Sequence, residues 1–257
     1  MMRGWYPVFR KELANFFVSP VAYAVMAIFL LIVGFFFWAN MSLMAVISMQ
    51  AASNPAFAGR INVTDLVLRP LVQNISIILL FVVPLLSMRL FSEEKKTGTI
   101  ELLLTYPITD VAVLTGKYLA SLVMLLVMLA GTFTVPLFLF GLSNPDPGVF
   151  ISSYLGMFLL AAAFMSLGMF VSSMTENQIV AAAISFGVAI LCYLLSWSAN
   201  LAGPKVAFVL RQMSVLEHLG TFNKGIIALS DVSFFVLFSA FFIFLTLRTL
   251  ETYRWRG

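Results

Sequence analysis

The sequence predicts an all-α integral membrane protein with six transmembrane helices. Hydrophobic residues make up 61% of the 257 residues and charged residues only 10%, whereas soluble domains carry roughly 25% charged residues. The mean hydropathy is +1.03. The core of a soluble domain could not bury the amount of apolar surface that this value implies. Spans of about 20 residues joined by short segments allow about five to seven helices at this length, and the apolar runs divide into six.

An interfacial amphipathic helix is predicted over residues 3–19, ahead of the first span. Trp5, Phe9 and other apolar residues recur at helical spacing, and Arg10 falls largely on the opposite face. A helix of this kind lies along the membrane surface with its aromatic face at the lipid headgroups. Ser19 and the proline after it end this helix and open the first span.

Apolar runs predict the six spans at about residues 21–40, 71–90, 113–140, 150–173, 179–198 and 232–250. The loop between the first two spans, residues 41–70, should carry a short helix near each end. Pro84 lies inside the second span and should bend it. Residues 199–231 are less apolar and should form short external helices with a break near Gly220. The whole chain, residues 1–257, then forms one transmembrane domain.

The distribution of basic residues predicts the orientation of these spans. An even number of spans places both termini on one side of the membrane, and cytoplasmic loops carry an excess of Lys and Arg. Most of the 15 Lys and Arg residues fall on the side of the termini. The five on the other side are Arg60, Arg69, Lys205, Arg211 and Lys224. The termini and residues 89–117 are therefore predicted to be cytoplasmic.

Residues 89–117 form the one long charged segment of the sequence, and such a segment must project from the hydrocarbon into water. Ser92, Glu93 and Glu94 suit the start of a helix, where carboxylates favour the positive end of the helix dipole. Gly98 allows a sharp change of direction. The segment is therefore predicted to contain a turn between two short helical stretches.

The second of these stretches can form about two helical turns from Thr99 before the next proline. The apolar Ile100, Leu103 and Leu104 cluster on one face, and Glu101 lies largely off it. Two interpretations of the segment follow from the residues alone. It is either a solvated loop with one interfacial helix or a short helix that a partner protein binds.

The sequence offers few groups for catalysis or for ion coupling. No predicted span carries Asp, Glu, Lys or Arg near its middle, which argues against an ion-coupled carrier and an intramembrane hydrolase. His218 is the one histidine and is expected to be structural or interfacial. Gly116-Lys117 lacks the other residues of a phosphate loop, so Lys117 is expected to mark the membrane border. No basic run is interleaved with exposed aromatic residues, so nucleic acid is not an expected partner.

Three motifs taken together resemble the signature of ABC-2-type ABC transporter permeases. Residues 93–107, Glu-Glu-Lys-Lys-Thr-Gly-Thr-Ile-Glu-Leu-Leu-Leu-Thr-Tyr-Pro, are followed nine residues later by Gly116-Lys117. Lys11-Glu12 with Ser19-Pro20 is similar to the interfacial helix and the start of the first span in that family. Residues 216–232 are similar to the segment before its last span. The likeness covers nearly the whole chain, and within the family it is closest to the gliding-motility-type permeases.

The resemblance implies the permease subunit of an ATP-driven exporter in a prokaryotic inner (cytoplasmic) membrane. Two permease subunits, identical or homologous, would pair in the lipid bilayer. Each would bind a cytoplasmic ABC ATPase subunit, so that two copies of the ATPase hold ATP and Mg²⁺. A further membrane or periplasmic subunit would be compatible with this assembly. The chain itself would bind no cofactor or metal and would hydrolyse no ATP.

The resemblance also implies which residues act in coupling. Residues 92–106 would form a coupling helix that sits in a groove of the ATPase, and residues 204–230 would dip into the outer leaflet. The candidate coupling residues are Glu93, Glu94, Gly98, Thr99, Ile100, Glu101, Leu103 and Leu104, and those of the interfacial helix are Arg10, Lys11 and Glu12. The alternative function is a non-transporting membrane scaffold or assembly protein that recruits a soluble partner through residues 89–117.

Overall fold

The computed structural model describes residues 4–53, 62–100, 108–142, 146–201 and 203–256, which are almost entirely helical and contain no strand. The helices are α1 Trp5–Val18, α2 Pro20–Ser53, α3 Arg69–Ser87, α4 Arg89–Lys96, α5 Asp110–Gly131, α6 Thr134–Leu142, α7 Pro147–Met174, α8 Gln178–Leu201, α9 Pro204–Gln212, α10 Val215–Phe222 and α11 Leu229–Arg256. Six helical stretches in the described residues are long and apolar enough to cross a membrane. The predicted class, an all-α membrane protein with six spans, is confirmed.

Helix α7 is the centre of the bundle, and it packs against α3, α4, α5, α8, α10 and α11. Small residues make this possible. A Cβ at Gly168 would lie 2.6 Å from Ser87 Cβ, and a Cβ at Gly156 would lie 2.7 Å from Phe222 Cβ. The small residues of this span therefore allow close helix packing. The spans built on α2, α8 and α11 are mostly exposed in the single chain.

The first span is longer than predicted, because α2 continues for 34 residues to Ser53. The predicted end of the span at about residue 40 was wrong, since the short helix expected at the start of the loop is a direct continuation of α2. Residues 41–53 are rich in Met, Ala and Ser and contain neither Gly nor Pro, so no strong helix breaker lies among them. On the far side of the loop, a π-helical turn over Thr64–Leu68 leads directly into α3.

The third span is shorter than predicted, because α5 ends at Gly131 and α6 begins at Thr134. Pro136 explains the break, since a proline has no N–H with which to continue the hydrogen-bond ladder of α5. The Thr132 hydroxyl donates to the Leu129 carbonyl at 2.6 Å and bonds the Tyr154 hydroxyl at 3.0 Å. Helix α5 begins at Asp110, slightly before the predicted start of the span, and Thr109 caps it by accepting from the Ala112 amide at 3.3 Å.

The short helices α9 and α10 divide at Met213 and Ser214, and the predicted break near Gly220 was wrong. The Ser214 hydroxyl accepts a hydrogen bond from the Glu217 amide at 3.3 Å, which caps the start of α10. Ser-x-x-Glu is the sequence pattern of a helix start, so this boundary was readable in the sequence. Helix α10 passes through Gly220 and ends at Phe222.

Candidate functional site

A buried lysine lies at the junction of α1, α4 and α5. The side chain of Lys117 on α5 is only 1% exposed. Its ammonium group donates to Glu12 Oε1 at 2.7 Å, to the Leu90 carbonyl at 2.8 Å and to Glu94 Oε1 at 2.9 Å. An ammonium group has three N–H donors, and all three are used. Lys117, Glu12 and Glu94 are called the Lys117 cluster below.

The Lys117 cluster gives two predicted residues contacts that the sequence did not indicate. Lys117, expected to mark the membrane border, is enclosed by protein. Glu12, a candidate residue of the interfacial helix, is buried and faces Lys117. The physical reason is the same in both cases, since a charge leaves water only when a partner of opposite sign replaces the lost hydration.

Helix α1 reaches Lys117 because the neighbouring residue of α5 has no side chain. A Cβ at Gly116 would lie 2.8 Å from the Trp5 carbonyl oxygen and 2.9 Å from Val8 Cβ. Glycine at this position therefore lets the backbone of α1 approach α5 directly. The pair Gly116-Lys117 thus combines a close helix contact with an ion pair across the same interface.

Helix α4 is attached to the central helix α7 by one serine. The Ser172 hydroxyl accepts from the backbone amides of Phe91 and Ser92, both at 3.0 Å, and donates to the Met88 carbonyl at 2.9 Å. The first amides of a helix have no partner within the helix, and Ser172 supplies one. The prediction that Ser92, Glu93 and Glu94 start a helix was wrong, because α4 already begins at Arg89.

The exposed part of the segment is a turn that follows α4. Gly98 has a φ of +70°, a conformation that favours glycine. The Thr97 hydroxyl donates to the Glu93 carbonyl at 2.9 Å and lies 2.9 Å from the Thr99 hydroxyl. Glu93 and residues 96–99 are exposed. These exposed residues, 93 and 96–99, are called the exposed turn below.

A groove of about 500 Å³ lies beside the exposed turn, between α4 and the junction of α1 with α2. Arg89 borders it and donates from Nη1 to the Ser19 hydroxyl at 2.9 Å. Lys11 and Asn15 of α1 line the opposite wall. The start of α4 is therefore also linked to the residue that separates α1 from α2.

The predicted coupling residues divide into three groups. Glu93, Gly98 and Thr99 are exposed, whereas Ile100 is fully buried. Glu94 is half-buried in the Lys117 cluster. On the interfacial helix, Arg10 and Lys11 are exposed. The remaining coupling predictions, Glu101, Leu103 and Leu104, lie outside the described residues.

Sequence reasoning missed Lys117, Ser172 and Arg89 as members of this site. The sequence did contain a signal for Lys117, since a lysine inside a predicted membrane helix needs an acidic side chain or a backbone carbonyl as its partner. Ser172 carried no comparable signal, because a serine in an apolar helix usually bonds its own backbone. In the described residues, no group of three or more His, Cys, Asp or Glu side chains could hold a metal ion.

The fold and this site define a multi-span membrane protein in which a buried cluster of charges lies beside an exposed turn. The family model for the ABC-2 family transporter protein matches residues 6–247, and the chain belongs to that family. It is therefore the transmembrane subunit of an ABC transporter, and ATP hydrolysis takes place in a partner. Among curated proteins, none matches the chain.

Proposed function

We propose that the chain forms the translocation pathway of an ATP-driven exporter and that its exposed turn receives motion from a separate ATPase subunit. Membership of the ABC-2 family supports the requirement for an ATPase partner. The observation that carries the coupling role is the Lys117 cluster. It joins the segment that bears the exposed turn to both α1 and α5 through buried charges.

The contacts of α4 suggest how a displacement would spread into the membrane. The Lys117 cluster attaches α4 to α1 and α5, and Ser172 attaches it to α7. Packed interiors pass a displacement on to their neighbours because they contain little free volume. A push on the exposed turn would therefore move these helices together. Such coupling also requires that the two conformations of the complex differ in their affinity for ATP.

The proposed complex contains two ATPase subunits, each with ATP and Mg²⁺, and a second permease subunit that is identical or homologous. The exposed apolar faces of α2, α8 and α11 are suited to lipid and to a second permease. We place the complex in a prokaryotic inner membrane, with both termini and the exposed turn in the cytoplasm. The gliding-motility-type subgroup, and a further membrane or periplasmic subunit, belong to the same proposal.

Charge reversal on the exposed turn tests the docking role. The Glu93→Arg variant should reach the membrane normally but lose the ATPase when the complex is purified through the permease. Lys224→Glu is the matched control, because Lys224 is also exposed and lies on the opposite side in the proposed orientation. If Glu93→Arg retained the full amount of ATPase, the docking role of the exposed turn would be wrong.

A scaffold that recruits a soluble partner through the same segment is the competing function. It would also lose its partner in the Glu93→Arg variant. It would, however, show no change in helix positions when ATP is added to the complex. ATP-dependent movement within the membrane subunit therefore separates the two functions.

A further inference from the structure

A second buried charge pair lies between spans five and six, far along the chain from the Lys117 cluster. His218 of α10 places Nδ1 2.7 Å from Asp231 Oδ1 and Nε2 3.0 Å from the Gln212 carbonyl oxygen. Its ring stacks on Phe234 with the ring centroids 4.1 Å apart. One ring therefore connects the last residue of α9, the middle of α10 and the first turn of α11.

The two hydrogen bonds of the ring need two protons. A neutral histidine beside an ionised aspartate would supply only one. The Gln212 carbonyl can only accept, so Nε2 must carry a hydrogen. A neutral imidazole has one N–H, so the short contact between Nδ1 and Asp231 needs a second proton. Asp231 lies in the first turn of α11, where the helix dipole favours a carboxylate. The second proton therefore belongs on the ring.

The surroundings of Asp231 agree with an ionised carboxylate. Its Oδ2 accepts a hydrogen bond from the Thr221 hydroxyl, and the residue is only 5% exposed. His218 is 9% exposed, and a cationic ring stacked on Phe234 gains from the aromatic face. A buried charge needs a partner of opposite sign, and each of the two supplies it for the other.

We infer that His218 and Asp231 form a proton-binding site that fastens α10 to the helices on either side of it. When one proton leaves for solvent, the carboxylate holds the remaining ring proton on Nδ1, and Nε2 presents a lone pair to the Gln212 carbonyl oxygen. Two acceptors cannot bond each other. The contact between Nε2 and Gln212 must therefore open, so α10 separates from the end of α9. This inference does not depend on the ATPase partner.

The other end of α10 is held by contacts that do not depend on the protonation of His218. The Ser152 hydroxyl of α7 donates to the Phe222 carbonyl at 2.7 Å. Arg69 donates from Nε to the Asn223 carbonyl at 3.0 Å. Loss of the proton should therefore loosen the junction of α9 with α10 and leave the C-terminal end of α10 in place.

Other titratable groups lie on the elements packed around the ring. Besides Asp231 they include Lys205 and Arg211 of α9, Glu217 of α10, Asp146 just before α7, Tyr154 of α7, Cys192 and Tyr193 of α8, and Arg248, Glu251 and Tyr253 near the C-terminal end of α11. Glu217 Oε1 accepts from the Ser196 hydroxyl at 3.4 Å, and the Tyr154 hydroxyl bonds Thr132. The two ring nitrogens of His218 contact only Asp231 and Gln212 among the described residues.

Because His218 is the only histidine, its protonation can be observed without assignment. We would label the full chain with ¹⁵N-histidine, omit any polyhistidine tag, and record solid-state NMR spectra in lipid bilayers between about pH 5 and pH 9. Hydrogen exchange of residues 212–222 would be measured in the same bilayers and corrected for its intrinsic pH dependence. We expect both ring nitrogens to be protonated at the acid end. As Nε2 loses its proton, exchange of these residues should accelerate over the same pH interval.

Two variants separate this site from an ordinary buried histidine. In His218→Gln the exchange of residues 212–222 should no longer depend on pH, since an amide does not titrate. In Asp231→Asn those residues should exchange fast even at acid pH. A bare ring nitrogen in the wild-type protein at acid pH would overturn the inference. Loss of the proton without any change in exchange would also overturn it. Neither result would bear on the docking of the ATPase, which the Glu93→Arg variant tests separately.

Discussion

Lys117 is the residue on which the coupling proposal depends most. Replacing one partner of a buried ion pair leaves the other charge uncompensated, which typically costs about 3–5 kcal/mol. We therefore expect Lys117→Met to lower the free energy of unfolding by about that amount, because Glu12 and Glu94 lose their shared cation. Equilibrium unfolding in detergent micelles would measure the loss. The exposed Lys96→Met should change stability by less than about 0.5 kcal/mol, and equal effects of the two variants would contradict the assignment.

The close approach of α1 to Gly116 leads to a second prediction. In Gly116→Ala the new methyl group would meet the Trp5 carbonyl at 2.8 Å, and this contact involves backbone that cannot move without moving α1. We expect α1 to be displaced and a cysteine placed at the buried Val8 of the same helix to become accessible to a thiol reagent. Gly34→Ala is the control, since a Cβ there has no neighbour within 4 Å. If the cysteine stayed protected in Gly116→Ala, the close approach of α1 to α5 would be wrong.

The individual residues of the site were only partly predictable from the sequence. The turn at Gly98 could be predicted, because few other residues adopt its backbone conformation. The pairing of Lys117 with Glu12 could not, because the two residues are separated by about a hundred positions and their contact depends on where α1 docks. Periodicity identifies the face of a helix that avoids water, but it does not identify the helix that covers this face.

At the scale of elements, the Ser172 hydroxyl accepts from two amides of α4, beside a bond from the Ser92 hydroxyl to the Ser172 carbonyl. We expect Ser172→Ala to destabilise the protein by about 1–3 kcal/mol, since the buried amides of Phe91 and Ser92 lose their acceptor. Ser173→Ala is the matched control. Ser173 is also buried, but its hydroxyl donates to the Phe170 carbonyl of its own helix. Thermal unfolding of the two variants would measure the difference, and indistinguishable curves would show that Ser172 does not fasten α4.

Helix boundaries were predictable where the sequence contains a capping or breaking residue. Thr109 caps α5, and the Ser-x-x-Glu pattern from Ser214 to Glu217 marked a boundary that hydropathy alone had misplaced. The boundary after α2 was harder to locate, since its apolar sequence beyond residue 40 suits a helix inside or outside a membrane. Hydropathy gives the number of spans, and local hydrogen-bonding chemistry gives their ends.

At the scale of the whole molecule, the orientation in the membrane can be tested with two cysteines. Lys96 and Lys205 are both exposed, and in the proposed orientation they lie on opposite sides of the bilayer. In a Cys192→Ser background, an impermeant thiol reagent added outside the cell should label Lys205→Cys and not Lys96→Cys. Opening the cells should expose Lys96→Cys as well. Labelling of both positions from the same side would contradict the six-span arrangement.

The central claim is that the exposed turn and α1 move as one body because the Lys117 cluster joins them. Pulsed electron-spin measurements between labels at Lys11 and Lys96 would test it in the assembled complex, with labelled permease diluted by unlabelled permease. We predict that ATP leaves this distance unchanged in the wild-type protein while the distance from Lys96 to Lys205 changes. In Lys117→Met, ATP should also change the distance from Lys11 to Lys96. A change in that distance with the cluster intact would contradict the claim.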